Sequence, residues 1–126
     1  MEFQTPLAKV KGLGTAKAGT GHFWMQRITA IALIPLSFWM VLFTKQFLNS
    51  THTEIILWLA SPLNISIAIA WIIAAFYHAA LGLQVVVEDY VHTEWRKITL
   101  IWLIKLSFFF IALLAIVAIF QIAGME

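Results

Sequence analysis

Cysteine is absent from this sequence, and charged residues are scarce. Without cysteine the chain cannot form disulfides, thiolate zinc sites or cysteine-ligated iron–sulfur clusters, and it has no thiol chemistry. Charged residues account for 11% of the 126 residues, whereas soluble domains average about 25%. A soluble domain of this size exposes about a third of the surface of its unfolded chain, which six acidic and eight basic residues cannot cover. A free soluble enzyme is therefore excluded.

Positive charge is limited as well. The net charge is +2, so the pI near 9.2 reflects a small excess of basic residues, which are scattered along the chain. A nucleic-acid-binding protein would carry a basic stripe or cluster, so we predict no nucleic-acid partner. Apolar residues, by contrast, make up 62% of the chain, and the mean hydropathy is +0.91. This composition predicts a small membrane protein in contact with lipid.

Charged residues divide the chain into long uncharged runs. The three runs are residues 28–44, 55–87 and 106–125. A membrane-spanning helix needs about 20 apolar residues to cross a hydrocarbon core of about 30 Å, so the middle run is too long for one helix. Pro62 divides that run and leaves residues 55–60 as a short interfacial segment. The sequence therefore predicts an all-α membrane protein with three transmembrane helices, at about 25–47, 63–87 and 98–123.

The residues before the first span form a separate segment. Residues 1–21 are polar, contain several glycines and carry lysines, so we expect an N-terminal arm followed by a transmembrane domain over residues 22–126. The arm is either a disordered tail or a segment ordered against a partner on the same side of the membrane.

The basic residues predict the orientation of the chain. Most of them lie before the first span or in the loop after the second: Lys9, Lys11, Lys17, Arg27, Arg96 and Lys97. Lys45 alone marks the loop after the first span. Because positive charges stay on the inner side of the membrane, the N-terminus is predicted to face the cytoplasm, or the mitochondrial matrix.

His78 is the most informative residue within the predicted spans. It precedes Asp89, at the inner end of the second span, by 11 positions, which places it about 16 Å deep. An ionisable group near the middle of a bilayer is costly, and is therefore a functional candidate. Either it is a neutral histidine bonded to a neighbouring helix, or it is an axial ligand of a b-type haem. No other histidine of the chain reaches this depth, so a six-coordinate haem would take its second ligand from another subunit.

Two further groups of polar residues lie towards the inner side of the spans. Asp89 and Tyr90 end the second span; they are either an interfacial anchor and a solvated acid or part of a site for a quinone head group. Arg27 begins the first span, where it either extends to the interface or pairs with haem propionates, with His22 assisting from the arm.

The pattern around His78 resembles a known family. His78, Gly82 and the pair Asp89-Tyr90 match the pattern H-x-x-x-G-x(6)-D-Y of the succinate dehydrogenase hydrophobic membrane anchor subunit. The segments Gly21-His22 and Arg27-Ile28-Thr29-Ala30-Ile31 are similar to the opening of that family's first helix. The resemblance covers essentially the whole chain, and it implies half of a heterodimeric membrane helix bundle around haem b.

The resemblance also implies roles for individual residues. His78 matches the family's axial haem ligand, and Asp89 and Tyr90 match its contribution to the ubiquinone site. Arg27 matches an arginine near the haem propionates, and His22 matches an assisting histidine. The implied partners are a second cytochrome b-type anchor subunit, an iron–sulfur subunit and a flavoprotein subunit.

The expected function is therefore that of a non-catalytic anchor subunit of succinate:ubiquinone oxidoreductase, respiratory complex II. Such a subunit helps to pass electrons from the tricarboxylic acid cycle to ubiquinone in a bacterial or mitochondrial inner membrane. The alternatives are a fumarate reductase anchor, or a non-redox helical subunit such as a transporter component or an assembly factor.

Overall fold

The computed structural model describes Pro6 and residues 13–124, with the side chains of Pro6 and of residues 20–124. Residues 13–124 form four helices: α1 (Leu13–Leu48), α2 (His52–Leu59), α3 (Pro62–Tyr90) and α4 (Glu94–Ala123). Three segments are long and apolar enough to cross a membrane: Thr20–Leu48, Pro62–Tyr90 and Glu94–Ala123. The prediction of an all-α protein with three spans is confirmed, although the first and third spans begin earlier and the second span ends later than the sequence indicated.

Local sequence signals explain where α2 and α3 begin. Thr51 caps α2 through a capping box, in which its side chain accepts from the backbone N–H of Glu54 and the Glu54 carboxylate accepts from the backbone N–H of Thr51. Hydrogen bonds to the Glu54 carboxyl from the backbone N–H of Thr51, foremost, and from the Thr51 side chain hold the pKa of that carboxyl below its ordinary value. Pro62 is the first residue of α3, where its missing N–H costs nothing. The predicted break at Pro62 is therefore confirmed, and the segment before it is a separate short helix.

The first helix begins earlier than the predicted first span. It starts at Leu13, so its first turns belong to the segment assigned to the N-terminal arm. Residues 1–5 and 7–12 of that arm lie outside the described residues. The boundary of the arm at residue 21 therefore stays a prediction, and so do both alternatives for the arm, a disordered tail or a segment ordered against a partner.

The third helix is the centre of the fold. α3 packs against α1 on one side and against α4 on another, while α2 contacts both α3 and α4. An aromatic stack of Trp39 and Phe43 from α1 with Trp58 from α2 joins the short helix to the first span. This arrangement places polar residues of α1 directly against those of α3.

Little of the chain is buried by its own fold. Five apolar side chains are buried in the described residues: Ile56, Leu59, Ala68, Ile72 and Leu81. None of the residues of α4 is buried. Helices that are apolar around most of their circumference need lipid or other helices against these faces.

Candidate functional site

His78 meets the first helix within the membrane-spanning part of the fold. It lies on α3, 16 residues after Pro62 and 12 before Tyr90, so both ends of the helix are about 18–24 Å away. Its Nδ1 lies 3.0 Å from the hydroxyl oxygen of Thr29 on α1. Thr29 is 7% exposed, and among the described residues it is the one polar residue that is buried. A partly buried hydrogen bond therefore joins α1 to α3 near the middle of α3.

The hydroxyl of Thr29 also bonds to its own helix. Thr29 Oγ1 lies 2.7 Å from the carbonyl oxygen of Met25 and 3.1 Å from that of Gln26. A hydroxyl has one hydrogen, and in a helix it commonly donates that hydrogen to the carbonyl one turn earlier. The oxygen of Thr29 is then left to accept a hydrogen bond from Nδ1–H of His78. In this tautomer Nε2 of His78 keeps its lone pair, and it makes no hydrogen bond within residues 20–124.

The next layer of the same interface contains Gln26 and Gly82. A Cβ built on Gly82 would lie 3.7 Å from Nε2 of Gln26, so the amide of Gln26 covers the position where Gly82 has no side chain. Oε1 of Gln26 is buried and has no hydrogen-bond partner among the described residues. Buried acceptors are normally satisfied, so this oxygen indicates a donor that the described part of this chain does not supply.

A chain of three polar side chains lies further towards the start of α1 and the end of α3. His22 Nε2 is 3.0 Å from Gln84 Oε1, and Gln84 Nε2 donates to Glu88 Oε1 at 2.9 Å. Because the Glu88 carboxylate only accepts, it orients the amide so that the oxygen of Gln84 faces His22. His22 Nε2 is therefore the donor. Gln84 therefore makes a helix–helix contact that joins α3 to α1.

The other candidate residues lie outside this interface. Arg27 is exposed, with its guanidinium 4.7 Å from the centre of the Phe23 ring, and it lies about 200° around α1 from Thr29. Asp89 and Tyr90 end α3, where both are exposed and the Tyr90 ring is 79% exposed. The structure therefore brings His22 and His78 to the α1–α3 interface and leaves Arg27, Asp89 and Tyr90 accessible.

A groove of about 640 Å³ is lined mainly by α3 and α4 and also by His22 of α1. Its lining is largely apolar and includes Tyr77, Phe76 and Phe108, with His22 and Lys105 as polar members. His78 and Tyr90 do not line it. Across the described part of the chain, no group of three or more His, Cys, Asp or Glu side chains is placed to hold a metal ion.

Two residues of the interface were not predicted to be functional. Thr29 lies in the segment that resembles the opening of the family's first helix, but neither that resemblance nor the residue pattern gives a role to Thr29 or to Gln26. Both share one face of α1 with His22, at spacings of three and four residues. A polar stripe of this spacing within an otherwise apolar span was the signal available in the sequence.

Comparisons with known proteins agree with this architecture. A family model described as "Succinate dehydrogenase/Fumarate reductase transmembrane subunit" matches residues 1–119. The chain is 40% identical over 120 residues to the succinate dehydrogenase hydrophobic membrane anchor subunit of Rickettsia bellii, covering 94% of this chain and 95% of the relative. The subunit of the same name from Rickettsia conorii is 34% identical over equal shares. That from Paracoccus denitrificans is 24% identical, over 81% of this chain and 79% of the relative. No solved structure matches.

Fold and sequence together define a helical membrane subunit that spans the bilayer three times. The chain belongs to the succinate dehydrogenase/fumarate reductase transmembrane subunit family. The resemblance to the succinate dehydrogenase membrane anchor subunit is confirmed, and with it the prediction of a non-catalytic anchor subunit.

Proposed function

We propose that this chain is the anchor subunit of a succinate:ubiquinone oxidoreductase, in which His78 is an axial ligand of haem b and Tyr90 and Asp89 contribute to the ubiquinone-reduction site. The observation that carries the proposal is the state of His78. Its Nδ1 is engaged by Thr29 at mid-span, while Nε2 has no partner within residues 20–124. A histidine whose second nitrogen is unpaired in these residues can offer that nitrogen to a group from outside them.

The residues present around His78 fit a haem. A neutral imidazole with one nitrogen bonded and the other free is the usual form of a metal-binding histidine. The buried Oε1 of Gln26, which has no partner among the described residues, lies one layer away and supports a site completed by groups from outside those residues. A bound haem b supplies reversible one-electron storage at this depth. Arg27 and His22 are the candidates to hold its propionates, Arg27 through its exposed guanidinium and His22 through Nδ1–H of the imidazolium form, which donates from both ring nitrogens.

Tyr90 and Asp89 are suited to a quinone head group. They lie where α3 leaves the membrane, so an apolar ring can approach from the lipid while protons arrive from water. The phenol of Tyr90 can donate a hydrogen bond to a quinone carbonyl, and the Asp89 carboxylate can orient that group or exchange protons with water. The 79% exposure of Tyr90 leaves room for both a substrate and neighbouring subunits.

The partners follow from what this chain lacks. It offers one histidine at the depth of His78, so the second axial ligand belongs to a second cytochrome b-type anchor subunit. It contains no cysteine, so the iron–sulfur clusters belong to an iron–sulfur subunit, which passes electrons from the succinate-oxidising flavoprotein subunit. The unburied faces of α4 are surfaces for lipid or for the second anchor subunit. The complex lies in the bacterial inner membrane, or the mitochondrial one, with the N-terminus on the cytoplasmic or matrix side.

The reduced-minus-oxidised absorption spectrum of the purified four-subunit complex tests the ligand. We expect a b-type spectrum in the wild-type complex and its loss in His78→Leu, in which an apolar side chain of similar size replaces the imidazole. His52→Leu is the matched control, because His52 is an exposed residue at the start of α2. The oxidation of succinate by an artificial dye measures whether the catalytic subunits remain attached.

A b-type spectrum of full amplitude and unchanged position in the assembled His78→Leu complex would contradict the ligand assignment. A colourless wild-type complex that contains every subunit would contradict haem binding altogether. Retention of dye reduction without haem in His78→Leu would separate loss of the ligand from failure to assemble.

A further inference from the structure

We propose that Thr29 is a positioning residue for His78: it accepts the hydrogen bond from Nδ1–H and so leaves Nε2 as the nitrogen that binds haem iron. The inference rests on the proposed function, since it concerns the ligand assigned there. Its evidence is the 3.0 Å separation of Thr29 Oγ1 and His78 Nδ1 and the burial of Thr29 between the two helices.

The direction of this hydrogen bond follows from the other contacts of Thr29. Its hydroxyl hydrogen points to the carbonyl of Met25, at 2.7 Å, with the carbonyl of Gln26 next nearest at 3.1 Å. Both carbonyls are acceptors, so they select the tautomer of His78 in which Nδ1 carries the hydrogen. The rotamer of Thr29 is fixed by α1, and the ring of His78 is oriented in turn.

This contact has a consequence for the haem itself. An imidazole that donates a hydrogen bond from Nδ1 is a more basic ligand through Nε2, which favours ferric over ferrous iron. Thr29 therefore lowers the midpoint potential of the haem, as well as orienting its ligand. A threonine that served packing alone would leave the potential unchanged when replaced by a residue of similar shape.

Redox titration of the intact complex tests this role. In Thr29→Val the hydroxyl is lost and the branched shape is kept, whereas Thr29→Ser keeps the hydroxyl. In Thr29→Val we expect the ratio of ferrous to ferric haem at a fixed ambient potential to rise about three- to tenfold, tenfold being about 59 mV for a one-electron couple. Thr29→Ser should restore the wild-type potential, and the EPR g values of the ferric haem should follow the same order.

Thr44→Val is the matched control. Thr44 makes the same bond to the carbonyl one turn earlier, from Oγ1 to Met40 O at 2.9 Å, but it makes no hydrogen bond to a histidine among the described residues. Loss of haem in Thr29→Val, with wild-type haem in Thr29→Ser and Thr44→Val, would also support the proposal, because only the hydroxyl at residue 29 distinguishes them.

Unchanged potential and g values in a haem-containing Thr29→Val complex would overturn the proposal while leaving His78 as ligand. Loss of haem or an equal shift in Thr29→Ser would overturn it too. A wild-type complex without haem would instead contradict the proposed function. The titration and the His78→Leu spectrum together therefore separate the two failures.

Discussion

His22 of α1 donates a hydrogen bond to Gln84 of α3, with 3.0 Å between Nε2 and Oε1, although the two residues are 62 positions apart. Glu88, one turn after Gln84, fixes the amide by accepting from its nitrogen at 2.9 Å. Together with Thr29 and His78, this pair forms a line of polar contacts between α1 and α3. In a lipid-facing bundle, where apolar surface does not favour one helix partner over another, such contacts determine which faces of two helices meet.

The bond between His22 and Gln84 should contribute measurably to stability. A double-mutant cycle with His22→Leu and Gln84→Met should give a coupling of about 0.6 kcal/mol, and at most about 1.7 kcal/mol, the range found for hydrogen bonds between membrane helices. The free energy of unfolding in mixed micelles of mild and denaturing detergent measures it. If the changes in the free energy of unfolding caused by the two substitutions simply add, the bond does not stabilise the pair of helices.

Tyr90 should affect quinone reduction and spare succinate oxidation. In Tyr90→Phe we expect kcat/KM for ubiquinone to fall about tenfold, since one hydrogen bond to the substrate contributes about 1.4 kcal/mol. Succinate-dependent reduction of a dye that accepts electrons upstream should be unchanged. Steady-state assays of the detergent-solubilised complex with both acceptors measure the difference.

The chain supplies its own control for that experiment. It contains two tyrosines, and the other, Tyr77, lines the groove between α3 and α4 and lies 13 residues before Tyr90. Tyr77→Phe should leave both activities unchanged. Equal kinetics in Tyr90→Phe and Tyr77→Phe would remove Tyr90 from the quinone site.

The absence of cysteine allows a clean test of orientation. His52 and His92 are both exposed and lie in the connections after the first and second spans, on opposite sides of the membrane. With intact cells or right-side-out vesicles, a membrane-impermeant maleimide should label His52→Cys, and label His92→Cys only after disruption in denaturing detergent. The unsubstituted chain, which has no thiol, measures the background. The reverse labelling pattern would place the N-terminus on the outer side.

Several features of the fold follow directly from the order of residues. Hydropathy predicts the number of spans, because every backbone polar group in lipid must be bonded within a helix and the bilayer demands about 20 apolar residues for each crossing. Pro62 marks the start of the second span, since proline fits the first turn of a helix and not its interior. Spacing along a helix of known rise then predicts the depth of His78.

The hydrogen-bond partners of His78 and Gln84 could be identified only from the tertiary structure. Thr29 is 49 residues from His78 and His22 is 62 from Gln84, and nothing local to any of these residues indicates its partner. Which residues meet depends on how α1 and α3 are rotated about their own axes. Helices that are apolar almost all round carry only a weak signal for that rotation. The depth of each polar group is therefore encoded along the chain, while its hydrogen-bond partner is decided by the packing of one helix against another.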